Sequence, residues 1–348
     1  MRRNTEVFMK GEIMNQNLLM HMADGLISVP VGILFFVVSF VCLAFSLKKI
    51  NETQDEHKIP MMAVMGAFVF VAQMINFTIP GTGSSGHIGG GILLCLILGQ
   101  YPAFLSICSV LMIQCLFFGD GGLLALGCNM FNMGVIPCFV AYPLIVKPIL
   151  RNHLNTQRIV LASLAGVIVG LEIGAFMVVL QTVASQITEL PFLAFVALML
   201  PIHLAIGFVE GLITAGVVSY VYKENSQMID YALTNQSFEK INAKKLMTVF
   251  TILIIFIGGC LSLFASGYPD GLEWSIGGVT GSHELESNGK VKDALAKVQE
   301  TTAFLPDYNF DGSEGYLGIS TSGLVGGAIT LMLIGSVGYI ASKKHKHE

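Results

Sequence analysis

Apolar runs long enough to cross a membrane alternate with short polar breaks from residue 29 almost to the end of the chain. Crossing ~30 Å of hydrocarbon takes ~20 residues of α-helix. Runs near that length cover 29–47, 61–78, 102–118, 122–146, 158–186, 192–222, 247–265 and 317–341. A ninth, 88–100, is shorter and glycine-rich, and spans only by leaning on its neighbours. The pattern predicts an all-α polytopic membrane bundle in two parts. Seven helices fill 20–222, and after a polar linker, 223–246, two more in 247–348 flank the segment 266–316. Within that segment GKVKDALAKVQETTAF carries the period of one short helix.

The basic residues orient the bundle. Placing 48–58, 147–158, 223–245 and 343–346 in the cytoplasm puts 13 of the 19 Lys and Arg there, as the positive-inside rule requires. The N-terminus is then outside and the C-terminus inside a cytoplasmic membrane, and segment 266–316, with nine acidic and three basic residues, lies outside. Arg2, Arg3 and Lys10 fall on the wrong side, and residues 1–19 lack the apolar core of a signal peptide. The functional chain is therefore expected to start at Met20, with 1–19 an extension ahead of the true start or a segment removed by processing.

Composition narrows the class. The chain is 53% hydrophobic and 12% charged with a net charge of −4, against about a quarter charged in soluble domains. Nothing in that balance suggests a nucleic-acid partner. All seven cysteines lie in apolar stretches and none forms C-x-x-C, which supports neither a disulfide framework nor a zinc cluster. The phosphate-binding G-x-x-x-x-G-K-[ST] loop is missing from the sequence, so ATP hydrolysis must come from elsewhere.

Candidate chemistry collects on the outer face. In LLMHMADGLISVP, Met20 and His21 stand just before the first span. With Met20 as a true terminus, its amine, the amide nitrogen of His21 and the His21 Nδ1 close on one cation as fused chelate rings. Such a planar nitrogen set suits Ni(II) or Cu(II); the alternative is an initiator beside a surface histidine. A further nitrogen is offered by His87 in IPGTGSSGHIGGG, whose glycines let the backbone fold back tightly. His87 is otherwise a solvated loop histidine.

Inside the spans, Gln73 with Asn76 and Asn129 with Asn132 are spaced to share helix faces. Glu172, Glu210 and His203 are ionisable groups at membrane depth, which mark cavities or pathways, or else helix-to-helix hydrogen bonds. Asp24, Ser84 and Ser85 complete the set of neighbouring or pathway candidates. GVIVGLEIG places glycine at every fourth residue, the spacing for close helix packing against an unspecified partner.

Four ordered blocks, MHMADGLIS, AFVFVAQMINFTIPGTGSSGH, LFFGDGGLLALGCNMFNMGV and HLAIGFVEGLIT, resemble the CbiM/NikM family, the metal-capturing membrane subunits of energy-coupling-factor transporters for cobalt and nickel. PDGLEW, Pro269 to Trp274, resembles the PDGLE accessory domain of these systems, here on the same chain. The resemblance implies that Met20, His21 and His87 hold a transported Ni2+ or Co2+. It implies no permanent cofactor, a transmembrane coupling subunit and two cytoplasmic ATPases as partners, and a transport subunit rather than an enzyme. A different class competes: Gly83-Ser84-Ser85-Gly86 with His203 has the elements of a rhomboid-type intramembrane serine protease, Ser85 attacking and His203 as base.

Overall fold

The computed structural model describes residues 21–53, 55–151, 153–239, 241–283, 285, 289–310 and 316–343. The expected ligand Met20 lies outside them. Helix α1 (Val29–Thr53) forms an outer flank of the bundle. Its Ile33, Leu34, Val37, Phe40 and Val41 are exposed, as a lipid-facing surface requires. Helix α2 (Ile59–Gln73) opens with Pro60 in its first turn, where a missing N–H costs nothing, and is buried along almost its whole length. The chain then forms a small antiparallel hairpin, β1 (Phe77–Ile79) and β2 (Ser84–Gly86), with Phe77 opposite Gly86 and Ile79 opposite Ser84.

Helix α3 (Gly91–Leu98) is entirely buried and is separated from α4 (Gln100–Phe118) by Gly99 at φ +85°. After the loop 119–125 comes α5 (Leu126–Leu150). From Phe131 to Val146 its turns widen to an i→i+5 pattern. Pro137 and Pro143 lie inside that stretch and cannot donate to a regular i→i−4 ladder. Helices α6 (Thr156–Ser185) and α7 (Phe192–Glu224) complete the first part. They are followed by α8 (Ser226–Thr234), α9 (Lys244–Gly259), α10 (Gly271–Thr280), α11 (Lys290–Thr302) and α12 (Tyr316–Lys343).

Six of these, α1, α4, α5, α6, α7 and α12, have the length and composition to cross a membrane. The all-α polytopic architecture expected from the sequence is present, but three expected spans are shorter than their apolar runs. Helices α2, α3 and α9 have 15, 8 and 16 residues, about 22, 12 and 24 Å at 1.5 Å per residue. Because α2 stops at Gln73, Asn76 lies beyond it and the two do not share a helix face. The linker 223–246 is not simply polar chain, since α8 packs Met228, Ile229 and Ala232 inward. Segment 266–316 holds two helices, α10 as well as the expected α11.

Helices α9 and α12 lie along α2. Phe68 meets the edge of Phe250 at 5.1 Å between ring centres, and a Cβ at Gly66 would sit 2.2 Å from Ile334 Cδ1. The glycine stripe of α6 faces α5 within the same chain: a Cβ on Gly166 would lie 2.3 Å from Val146, and one on Gly174 would lie 3.0 Å from the Asn132 carbonyl.

Candidate metal centre

Four stretches meet at one end of the bundle: residues 21–27, the hairpin with 87–91, the loop 119–122, and part of 266–310. The chain ahead of α1 is strapped down by backbone pairing. Asn129 both accepts from Met22 N and donates to Met22 O, each at 3.2 Å, and Gly122 N donates to Met22 O at 3.0 Å. Asp24 Oδ1 accepts from Ala125 N at 2.9 Å, and burial raises this carboxyl above its ordinary range.

The strap drives His21 inside, with 1% of its side chain exposed. Its Nδ1 lies 2.9 Å from Asp120 Oδ1, an ion-pair distance with the oxygen off the N–H axis. Neither ring nitrogen has a hydrogen-bond partner among the described residues. Buried polar atoms are almost always paired, so a ring whose Nδ1 meets only a carboxylate off axis and whose Nε2 meets no partner among the described residues is a candidate ligand.

His87 leaves the end of β2 and faces that ring, with ring centres 5.5 Å apart and planes tilted by 47°. Two imidazoles bound cis to one ion at ~2.0 Å have centres about 4.5 Å apart, so the rings stand near one another but about 1 Å wider than a planar site holds them. The backbone around His87 is fixed from below. Gln114 Nε2 donates to Gln73 Oε1, Gln73 Nε2 donates to Gly89 O, and Glu210 Oε1 accepts from Gly90 N, each at 2.9 Å. Glu210 thus clamps the glycine loop.

A cavity of about 110 Å³ runs inward from the two rings, lined by His21, His87, Asn129, Asn132, His203, Glu210 and Asp270. Two of these candidates are already satisfied. Asn132 exchanges hydrogen bonds with Gln181 at 2.8 and 3.0 Å, and His203 Nδ1 lies 2.7 Å from the carbonyl of Met199 on its own helix. Glu172 does not line the cavity, and its buried Oε1 has no hydrogen-bond partner among the described residues.

The outer wall comes from the C-terminal part. Ser85 N donates to Pro269 O at 2.8 Å, Ser85 Oγ to Tyr268 O at 2.7 Å, and Ser84 Oγ to Pro269 O at 3.4 Å. Trp274 Nε1 donates to Thr82 O at 3.0 Å. Asp270 caps α10 by accepting from Glu273 N at 2.8 Å. Burial pushes its carboxyl up to about 7, against the opposing pull of that N–H and of nearby His21.

Of the residues singled out from sequence, the structure brings His21, His87, Asn129, Asn132, His203 and Glu210 to one cavity. Gln73, Ser84 and Ser85 hold the loop rather than line the cavity. Asp120, Asp270, Gln114 and Tyr308 were missed. Two of them stood in quoted blocks, Asp120 between the glycines of GDGG and Asp270 in PDGLEW. The protease geometry is unsupported: Ser85 Oγ donates to backbone carbonyls, and no hydrogen bond joins it to His203 among the described residues.

The fold is thus that of a helical membrane protein in which two histidines line one cavity. The family model described as "Cobalt uptake substrate-specific transmembrane region" matches residues 21–228, and the chain belongs to that family. A second model, the PDGLE domain, matches 244–343. The chain is 31% identical to a "Putative fused nickel transport protein NikMN" of Archaeoglobus fulgidus over 90% of this chain and 96% of that one. It is 30% identical to a "Fused nickel transport protein NikMN" of Rhodobacter capsulatus over 60% of this chain and 64% of that one. A crystal structure of a transition metal transporter superposes with a TM-score of 0.53 at 31% identity, covering 61% of this chain and 98% of that one. The protein is a transport subunit, not an enzyme.

Proposed function

We propose that this protein captures Ni2+ or Co2+ at the outer face of a prokaryotic cytoplasmic membrane and releases it inward as the substrate-binding part of an energy-coupling-factor transporter. His21 and His87 supply ring nitrogens, and the His21 amide and the Met20 amine complete a planar set. A transmembrane coupling subunit and two cytoplasmic ATPases supply the drive. This matches the missing phosphate loop, and the basic residues set the N-terminus outside. Nickel is favoured over cobalt, because a planar nitrogen set suits Ni(II) and the fused relatives are named nickel transport proteins.

The observation that carries this reading is the buried His21 ring facing His87 on one cavity, with ring centres 5.5 Å apart. His87→Ala removes one of the two facing rings without touching a membrane helix. Calorimetry with Ni2+ on the purified protein beginning at Met20, whose amine is then free, is expected to show affinity reduced at least about a hundredfold, with expression and membrane insertion normal. An unchanged dissociation constant would remove His87 from the site.

A further inference from the structure

The C-terminal part reaches the His21 ring through one carboxylate. Asp120 sits buried between Gly119 and Gly121, both at positive φ. Its Oδ1 lies 2.9 Å from His21 Nδ1, and its Oδ2 accepts from the Tyr308 hydroxyl at 2.6 Å. Tyr308 is itself locked, its ring stacked on Phe118 at 5.0 Å and 16°. Around it, Leu305 N donates to Phe117 O at 3.3 Å and Gln299 Nε2 to Gly121 O at 2.7 Å. Three contacts from 299–308 therefore brace the short loop that carries Asp120.

The capture mechanism described above uses His21 and gives this carboxylate no role. A buried carboxylate is stabilised by a nearby positive charge. A cation bonded to that nitrogen at ~2 Å stands within about 5 Å of Asp120. Deprotonating the amide leaves a bound dication with one positive charge, which Asp120 cancels.

We propose that Asp120 compensates the charge of a cation bound beside it at His21, and that Tyr308 holds Asp120 in place. The C-terminal part thereby acts on metal affinity through one hydroxyl. This inference rests on the metal-capture reading and deepens it.

A double-mutant cycle on the protein beginning at Met20 tests it, with Ni2+ calorimetry and the ligand-field absorption of the loaded protein as readouts. Asp120→Asn is expected to weaken Ni2+ binding about 10–100-fold, the usual cost of losing a partner behind a metal ligand. Its absorption bands should stay in place because the nitrogen set is unchanged. Tyr308→Phe alone is expected to cost about 3–10-fold, and to cost nothing further in the Asp120→Asn background.

Equal losses from Tyr308→Phe in both backgrounds would show that the tyrosine acts elsewhere and overturn the proposal. So would an unchanged affinity in Asp120→Asn, or shifted bands there, which would make Asp120 a ligand. If Asp120→Asn does not fold, Asp120→Ser replaces it in the cycle under the same criteria. Wild type and His87→Ala are measured alongside. Failure of the wild type to bind Ni2+ or Co2+, or of His87→Ala to lose it, removes the capture reading itself. Tight wild-type binding lost in His87→Ala, with an additive cycle, overturns only the role of Asp120 and Tyr308.

Discussion

Glycine does opposite work in two regions of this molecule. Along α6, Gly166, Gly170 and Gly174 keep ordinary helical backbone and matter for what they lack, since a Cβ at each would meet α5 at 2.3, 3.2 and 3.0 Å. In the loops of the site, Gly81, Gly83, Gly90, Gly119 and Gly121 take positive φ, a region that strains every residue with a Cβ. The helix stripe shapes the wall, whereas the loop glycines aim the chemistry. A methyl group added in the first region should therefore appear in stability, and one added in the second should appear in metal binding where it collides with the chain that carries His21.

Gly121 is where the second use is sharpest. It has φ +79°, and a Cβ there would lie 2.8 Å from His21 Cβ and 3.1 Å from Asn129 Nδ2. Gly121→Ala must therefore strain the loop or push away the strap that carries His21. Metal affinity is expected to fall about a hundredfold or more, since small misplacement of ligating groups is costly. Calorimetry with Ni2+ decides it. Affinity within threefold of wild type would show that the strap has slack and that the comparison fails at its strongest point.

Gly166 tests the other half. Its added methyl would meet Val146 Cγ2 at 2.3 Å, and valine is stiff at χ1. Overpacking of this kind costs about 1–3 kcal/mol. Gly166→Ala is expected to lower the thermal unfolding temperature in detergent while Ni2+ affinity stays within about threefold. A large loss of affinity without loss of stability would mean that the α5–α6 seam reaches the site.

The contrast also explains what the sequence disclosed. The long helices were legible because lipid demands continuous apolar runs, and periodicity carries that signal over many residues. The ends of α2 and α3 were not, because apolar residues continue past Gln73 into Phe77–Ile79 and only tertiary pairing tells strand from helix there. His21 was legible as a strong ligand type paired with Met20 ahead of the first span, and His87 as one set among glycines. Asp120, Asp270 and Tyr308 lie 99, 249 and 287 positions from His21, and no local pattern brings such separations together. The folded C-terminal part does, through Ser85, Asp120 and their partners. Gln73 was singled out as a helix-face amide, yet its work is to hold Gly89, a role visible only once the hairpin is seen to fold back on α2.

The smallest effect is expected at Gly83, which sharpens the comparison by separating strain from contact. It sits in the turn between β1 and β2 at φ +74°, and a Cβ there meets nothing within 4 Å. Alanine in that conformation costs about 1–2 kcal/mol. Part of this is offset, by about 0.4–1 kcal/mol, because alanine also restricts the unfolded chain. The net loss is then about 1 kcal/mol or less. The neighbouring anchors are untouched: Trp274 still donates to the Thr82 carbonyl, and Ser84 and Ser85 still donate to the carbonyls of residues 268 and 269. His87 beyond them should keep its place. Gly83→Ala is accordingly expected to shift the unfolding temperature slightly and to leave the Ni2+ dissociation constant within about twofold of wild type. A loss of tenfold or more would place the hairpin turn itself in the metal's path, because no side-chain collision exists there to carry the effect.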